Sequence, residues 1–287
     1  MLNRTAIEPI DYLVIGHITQ DLTPNGPLLG GTASYSSLTA KALGLRVGIV
    51  TAYNTEKLGM PPELEGITLS VVPSEETTTF ENIYTPGGRI QYLHHRAAEL
   101  NASHIPETWR HTPIVHMGPL DNEIDPGLVR FFSESLVGLT PQGWLREWDD
   151  KGRVRLGEWP EARYVLEKAS AAVISIEDVQ GDESRVEEMA SSIRILVVTE
   201  GAAGCRVYWN GDLRRFRAPA TQEVDPVGAG DIFAAAFFYR LANTRDPWEA
   251  ARFANQIASK SVTRRGILGV PTPEEVEAAL VEVIRGG

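Results

Sequence analysis

The stretch Asp225-Pro-Val-Gly-Ala-Gly-Asp231, running at once into Ile-Phe-Ala-Ala-Ala-Phe-Phe-Tyr-Arg-Leu, constrains this chain more than any other. An acid, a glycine turn, a second acid and an apolar helix follow one another without a gap. Gly228 and Gly230 open backbone conformations closed to other residues, so successive N–H groups can converge at the mouth of a helix that begins near Ala229. First-turn amides and the helix dipole favour an anion there. Asp231 falls in that same turn, close enough to take a proton from a hydroxyl attacking the anion. The pattern points to phosphoryl transfer. A capped helix behind a glycine loop is the plain alternative. An Asp followed three residues later by Gly-Ala-Gly-Asp, however, arises by chance in roughly one chain of this size in a few thousand.

Composition narrows the partners. The chain has 287 residues and is 43% hydrophobic, enough to bury a large core as one α/β domain, alone or with a small appendage. Its net charge is −11, from 27 basic and 38 acidic residues, and no run of Lys or Arg exceeds two. Nucleic acid and anionic membrane are therefore poor partners, and a small-molecule ligand is expected. Cys205 is the one cysteine, which rules out an internal disulfide and a thiolate metal cluster. The beginning, Met-Leu-Asn-Arg-Thr-Ala-Ile-Glu-Pro, lacks an apolar signal core. No stretch of about 18 apolar residues could span a bilayer, so a soluble, cytoplasmic protein is expected.

Along the chain, short apolar runs alternate with helical patterns. Asp11–Gly16, Leu45–Tyr53, Thr112–Gly118, Ala172–Glu177 and Ile195–Thr199 read as buried strands. Helices are expected over 32–44, after Gly30-Gly31, and over 124–137, 182–193, 229–242, 248–263 and 273–285. That alternation is the mark of a doubly wound, mainly parallel sheet flanked by helices. Two segments break it. Thr77–Tyr84, the turn Thr85-Pro-Gly-Gly88 and Arg89–His95 predict a strand–turn–strand, hence a small sheet off the main layer. Cys205–Trp209, Asn210-Gly211 and Leu213–Arg217 predict a hairpin with a two-residue type I′ turn. The charged run Trp144–Arg155 balances its basic residues with Glu147, Asp149 and Asp150 and reads as a solvated surface turn. The six histidines show no zinc spacing and read as structural.

The stretch 225–231 resembles the Asp-Thr-x-Gly-Ala-Gly-Asp signature of the PfkB, or ribokinase-like, carbohydrate kinases, with Pro226 at the usual Thr. Thr199-Glu-Gly-Ala-Ala-Gly204 resembles the family's Thr-x-Gly-x-x-Gly loop, and Gly30-Gly31 its first Gly-Gly motif, with Tyr35 where an Asn is common. The resemblance covers nearly the whole chain. It implies a single kinase domain over 1–287 with a discontinuous lid from about 17–30 and 75–97, and ATP with Mg²⁺ as cofactors, leaving room for a monovalent cation such as K⁺. It also implies a small sugar or polyol as partner and allows a homodimer through the lid.

The implied roles fall on particular residues. Asp231 would act as general base, with the backbone of Gly228, Ala229 and Gly230 around the transferred group. Asp21, Gly30, Gly31, Tyr35, Gln142 and Arg146 would hold the acceptor, and Thr199, Gly201, Gly204, Asp225 and Asn255 the nucleotide. Ser175-Ile-Glu-Asp178 stands where the family often has Asn-x-x-Glu, so Asp178 and Glu177 would organise the metal through water. Together with the departures at Tyr35 and Ser175, Gln142-Gly-Trp-Leu-Arg resembles a divergent branch that includes plant-type inositol kinases. The lid stretch 77–95 carries Arg89 as its one fixed positive charge, against Glu81, which disfavours a phosphorylated sugar. An ATP-dependent kinase of a neutral polyol, with myo-inositol as leading acceptor, is therefore expected. A nucleoside kinase of the same family and a catalytically silent sugar or nucleotide sensor are the alternatives.

Overall fold

Strands packed on both faces need apolar residues at every position. Tyr-Leu-Val-Ile at 12–15 and Ile-Val-His-Met at 114–117 lie side by side at the centre of the main sheet, all of them buried. The computed structural model describes residues 8–85 and 88–285. Its strands are β1 (Tyr12–Ile15), β2 (Thr19–Thr23), β3 (Gly26–Gly30), β4 (Val47–Tyr53), β5 (Thr68–Pro73), β6 (Thr79–Thr85), β7 (Gly88–His95), β8 (Ile114–Met117), β9 (Leu136–Leu139), β10 (Arg146–Trp148), β11 (Val154–Leu156), β12 (Ala171–Ser175), β13 (Ile195–Thr199), β14 (Cys205–Trp209) and β15 (Asp212–Phe216). The α-helices are α1 (Thr32–Ala42), α2 (Thr55–Leu58), α3 (Ala162–Leu166), α4 (Glu183–Ser192), α5 (Ala229–Thr244), α6 (Pro247–Ser261) and α7 (Pro273–Arg285).

The main sheet runs β15-β14-β13-β12-β9-β8-β1-β4-β5, parallel from β5 to β13, with the β14–β15 hairpin antiparallel at one edge. Alternate side chains go to opposite faces. Tyr12, Val14, Val173 and Val197 pack with α1, α5 and α6, whereas Leu13, Ile15, Ile174 and Val198 pack with α3 and α4. The expected doubly wound α/β sheet is thus observed. At the hairpin turn Asn210 has φ 52 and Gly211 φ 82, as a type I′ turn requires. No described helix is long and apolar enough to cross a membrane.

A second sheet of order β3-β2-β6-β7 stands off the first and draws on residues 19–30 and 79–95. The tip of its predicted strand–turn–strand, Pro86-Gly87, lies outside the described residues. The main body seals one edge: Leu93 N donates to Gly152 O at 2.8 Å, and a side chain on Gly152 would come within 2.3 Å of the Leu93 carbonyl.

Two expectations are corrected. The helix expected over 124–137 is a 3₁₀ stretch at Pro126–Phe132 followed by β9. The short apolar run Leu136-Val-Gly-Leu139 is buried between β8 and β12, and its length suits a strand. Trp144–Arg155 is a solvated turn only at its tip, Asp150-Lys151, which joins the two strands of a short ladder. Trp144 is buried and stacked on Trp159 at 5.2 Å, and the charged residues ride on the β10–β11 ladder. β5, which carries no strong alternation, adds a parallel strand beside β4.

Candidate active site

Two helices begin at the same place. Gly31 has φ 87 at the start of α1, and Gly228 has φ 77 at the start of α5. Both values lie in the region that favours glycine, and both positions are also crowded. A methyl group on Gly31 would sit 2.7 Å from His17 O, and one on Gly228 would sit 2.3 Å from the Tyr35 ring. The Tyr35 ring therefore lies against the loop before α5, 3% exposed, rather than along an acceptor wall. A methyl on Gly230 would meet nothing within 4 Å, so this turn opens onto free space. Asp225 braces the loop, accepting from Val227 N at 3.0 Å through Oδ1 and from Gly266 N at 2.9 Å through Oδ2.

Asp231 stands in the first turn of α5, half-buried, where Thr32 Oγ1 donates to its Oδ1 at 2.7 Å. Burial pushes its carboxyl up to about 6; the Thr32 hydrogen bond opposes this, Asp178 and Asp21 raise it further, and Arg146 lowers it. Asp21, Asp178 and Arg146 all bear on one carboxylate, although they come from the small sheet, the end of β12 and β10. Asp21 also packs over Gly30, where a methyl group would lie 2.6 Å from its Oδ2.

Asp178 is held rather than mobile. Gln142 Nε2 donates to its Oδ1 at 2.7 Å and Ser175 N to its Oδ2 at 2.8 Å, in a reciprocal capping box with Ser175. The neighbouring Gly143 donates its N–H to Pro119 O at 2.9 Å, and a methyl group there would lie 2.3 Å from Leu120 N. Arg146 Nη1 donates to Leu120 O at 3.1 Å, and its guanidinium lies over the Phe80 ring at 5.7 Å, bridging the two sheets. Glu177, in the same turn, is exposed, and its N–H donates to Ser175 Oγ at 3.2 Å.

On the other side of the loop, Thr199 Oγ1 donates to Ile174 O at the end of β13, and Gly201 (φ 57) and Gly204 (φ 99) shape the turn that follows. Gly204 admits no side chain, since a methyl there would lie 2.0 Å from Phe216 O. Asn255 is buried and spends its amide on Phe216 O at 3.2 Å and Cys205 Sγ at 3.4 Å. It ties α6 to the hairpin. Burial raises the Cys205 thiol to about 12, so it is not a nucleophile.

Two parts of the site carried no signal in the sequence reading. Thr32 was placed only as the opening of a helix, although a hydroxyl at the first position after Gly-Gly marks a polar helix end. The other is a buried joint between the sheets. His17 Nε2 donates to Ala98 O at 2.9 Å, and its Nδ1 lies 2.7 Å from Thr78 Oγ1 and 3.4 Å from Asp121 Oδ1. Glu123 accepts from the amides of His17, Leu120 and Asp121. Burial, and then Asp121, raise Glu123 to about 7. Asp121 and Glu123 are two residues apart, but His17 lies 106 residues before Glu123, so no local pattern announces the joint.

A glycine-shaped helix mouth, a nearby carboxylate poised near neutrality and a second acid on the facing sheet are the parts that phosphoryl transfer to a small molecule calls for. Residues 163–274 match the model of the pfkB family carbohydrate kinases. Over 277 residues the chain is 26% identical to the cytidine kinase of Thermococcus kodakarensis, covering 90% of this chain and 98% of that enzyme. It is 32% identical to inositol 3-kinase of Zea mays over 136 residues, which make 46% of this chain and 34% of that one. In fold it is similar to a pyrophosphate-dependent kinase of the ribokinase family, with a TM-score of 0.80 and 20% identity over 93% of this chain and 99% of the other. The chain thus carries a match to the PfkB family over its C-terminal part, and its relatives are named as nucleoside, inositol and sugar kinases. Such kinases use ATP and generally require Mg²⁺.

Proposed function

We propose that this chain transfers the terminal phosphoryl group of ATP to a hydroxyl of a small neutral polyol, with myo-inositol the leading acceptor. The observation that carries the reading is Asp231 in the first turn of α5, held by Thr32 Oγ1 at 2.7 Å, beside Gly230, where a methyl group would meet nothing within 4 Å.

In this reading Asp21 and the backbone at Gly30-Gly31 orient the acceptor. Asp231 accepts the proton as the hydroxyl attacks, and its carboxyl, raised to about 6, is ionised at neutral pH yet basic enough to work. The first-turn amides of α5 and Arg146 balance the charge on the group in transit. Asp178 fits a metal role: a single half-buried carboxylate suffices, because Mg²⁺ binds chiefly through phosphates and waters. Bound there, Mg²⁺ would neutralise the polyphosphate. Exposed apolar surface at Val224 (53%) and Leu268 (70%), flanking the Asp225–Gly266 bond in sequence, offers a nucleobase something to cover. The small sheet is read as a lid that excludes water.

Neutral acceptors are favoured by where the charges point. Glu81 pairs with His94 and Lys57 with Glu76 on the outer side of the small sheet, while Asn82 and Gln91 occupy the inner side. The Arg89 side chain lies outside the described residues. The second reading, a nucleoside acceptor, draws on the alignment with the archaeal cytidine kinase over 90% of the chain. A coupled ADP-release assay with myo-inositol, ribose, cytidine and fructose 6-phosphate decides between them, with pyrophosphate as a second donor assayed by phosphate release. A tenfold preference for cytidine or for the phosphorylated sugar would overturn the polyol reading, and no turnover of any acceptor would mark a silent sensor.

A further inference from the structure

The chain passes between the main sheet and the small one four times: from β1 to β2, from β3 to α1, from β5 to β6, and onward from β7. His17 touches all four passages. It lies in the first, and a methyl group on Gly31, in the second, would sit 2.7 Å from its carbonyl oxygen. Its ring meets the other two, with Nδ1 2.7 Å from Thr78 Oγ1 and Nε2 donating to Ala98 O at 2.9 Å. Asp21 follows four residues later on β2, so what fixes His17 also fixes the strand that carries Asp21.

The protons of this joint are few enough to place. Ala98 O can only accept, so Nε2 carries a hydrogen. Thr78 Oγ1 already accepts from Ala97 N at 2.9 Å and has one hydrogen to give. Two acceptors stand within its reach, His17 Nδ1 and, at 3.4 Å, Asp121 Oδ2. With a neutral ring the hydroxyl would turn to Nδ1, whose lone pair would also face Asp121 Oδ1 at 3.4 Å, an oxygen that no hydrogen bond reaches. With a protonated ring Nδ1 donates to Thr78, Thr78 donates to Asp121, and the imidazolium stands beside that carboxylate. His17, Thr78 and Asp121 are at most 1% exposed, and at that depth only the second arrangement keeps two lone pairs from facing each other. Burial opposes the charge, but Glu123 and then Asp121 outweigh it and raise the ring above its usual 6.5. Among the described residues, these two carboxylates, with Arg96 Nε behind Asp121 at 3.3 Å, are the charged groups that face it.

We infer that His17, as an imidazolium, is a positioning residue that clamps the four passages to Asp121 and Glu123 of the main body and thereby sets where Asp21 presents the acceptor hydroxyl to Asp231. This rests on the phosphotransferase reading above. His17 touches no substrate and takes no part in the proton transfer. Its contribution is present while the ring is charged and is lost as pH rises through the raised value of the ring. Asp231 works in the opposite sense and gains as it ionises.

The test measures kcat and both KM values from pH 6 to pH 9, with myo-inositol and cytidine, for the unaltered chain, His17→Gln and Thr78→Val. It is joined by ¹⁵N NMR of protein labelled at histidine. In the unaltered chain the KM of the preferred acceptor should rise toward pH 9 while the KM for ATP stays level. His17→Gln should raise the acceptor KM at pH 6 at least about tenfold and abolish its dependence on pH, with kcat and the KM for ATP within about threefold. Thr78→Val keeps the ring and breaks the relay, so the rise should come at lower pH. In the spectrum the His17 ring should hold hydrogens on both nitrogens at pH 6 and lose the one on Nδ1 as pH rises, earlier when Asp121→Asn is introduced. A ring already neutral at pH 6 overturns the inference, as does an acceptor KM that ignores pH in the unaltered chain. So does a His17→Gln protein that melts lower yet keeps its acceptor KM, the result a merely structural residue would give. Should His17→Gln fail to fold, Thr78→Val and the spectrum decide. If the unaltered chain phosphorylates neither acceptor, this inference falls with the reading it rests on; if it is active and the variants match it at every pH, this inference alone falls.

Discussion

Thr32 Oγ1 hydrogen-bonds Asp231 Oδ1 at 2.7 Å, joining the first turn of α1 to the first turn of α5 across 199 residues of chain. The hydroxyl counteracts the burial that raises the Asp231 carboxyl. Thr32→Val keeps the shape and removes that bond. The acid limb of the kcat/KM profile, expected near 6 for the unaltered chain, should move to higher pH. A limb that stays in place would show that Thr32 does not set the base.

Asp231→Asn should lower kcat by at least about 10²-fold and leave the KM for ATP nearly unchanged, since general-base catalysis typically contributes 10²–10⁴. It should also stabilise the fold. A carboxyl whose folded-state value is raised from 3.8 to about 6 contributes stability that is fully present below 3.8 and lost as pH rises through about 6. At pH 8 the ionised group is a burden of on the order of 3 kcal/mol at most, less for a side chain partly open to water. Thermal melts should show the variant gaining at pH 8 and not at pH 4.

Asp225→Ala leaves the amides of Val227 and Gly266 without their partner. It should raise the KM for ATP with little change in the acceptor KM, because it loosens the loop before α5 rather than the small sheet. Steady-state kinetics with each substrate varied in turn would show this, and a selective change in acceptor KM would contradict it.

Gly138→Ala tests the sheet–helix contact beneath the site. A methyl there would lie 2.6 Å from the Phe238 ring, on the helix that carries Asp231. Overpacking of this kind typically costs about 1–3 kcal/mol. Urea unfolding should register the loss, and it should shrink when Phe238→Leu is added.

Much of this was legible because it is local. The strands are continuous apolar runs, Asn210-Gly211 names its own turn, and the glycines before Asp231 announce a helix mouth. Loss of legibility follows from distance and shortness. β9 is four residues long and its Gly138 is required by a ring contributed from α5, so a sequence window shows only the tail of an apparent helix. Tyr35 and Asn255 fall at the positions that the resemblance implied, yet burial turns one against Gly228 and the other into the hairpin. The joint of His17, Thr78, Asp121 and Glu123 exists only once two sheets have met.

Asp225 is fastened to Gly266, 41 residues later, whereas the last parallel strand is complete at Thr199. During synthesis, then, the sheet can form well before the brace of the loop has left the ribosome. The growing chain acquires its parallel strands first, then α5 and α6 that cover one face of them, and the brace of the loop before α5 after that. A product ending short of Gly266 would keep every strand of the sheet and lack the partner that braces the loop before α5.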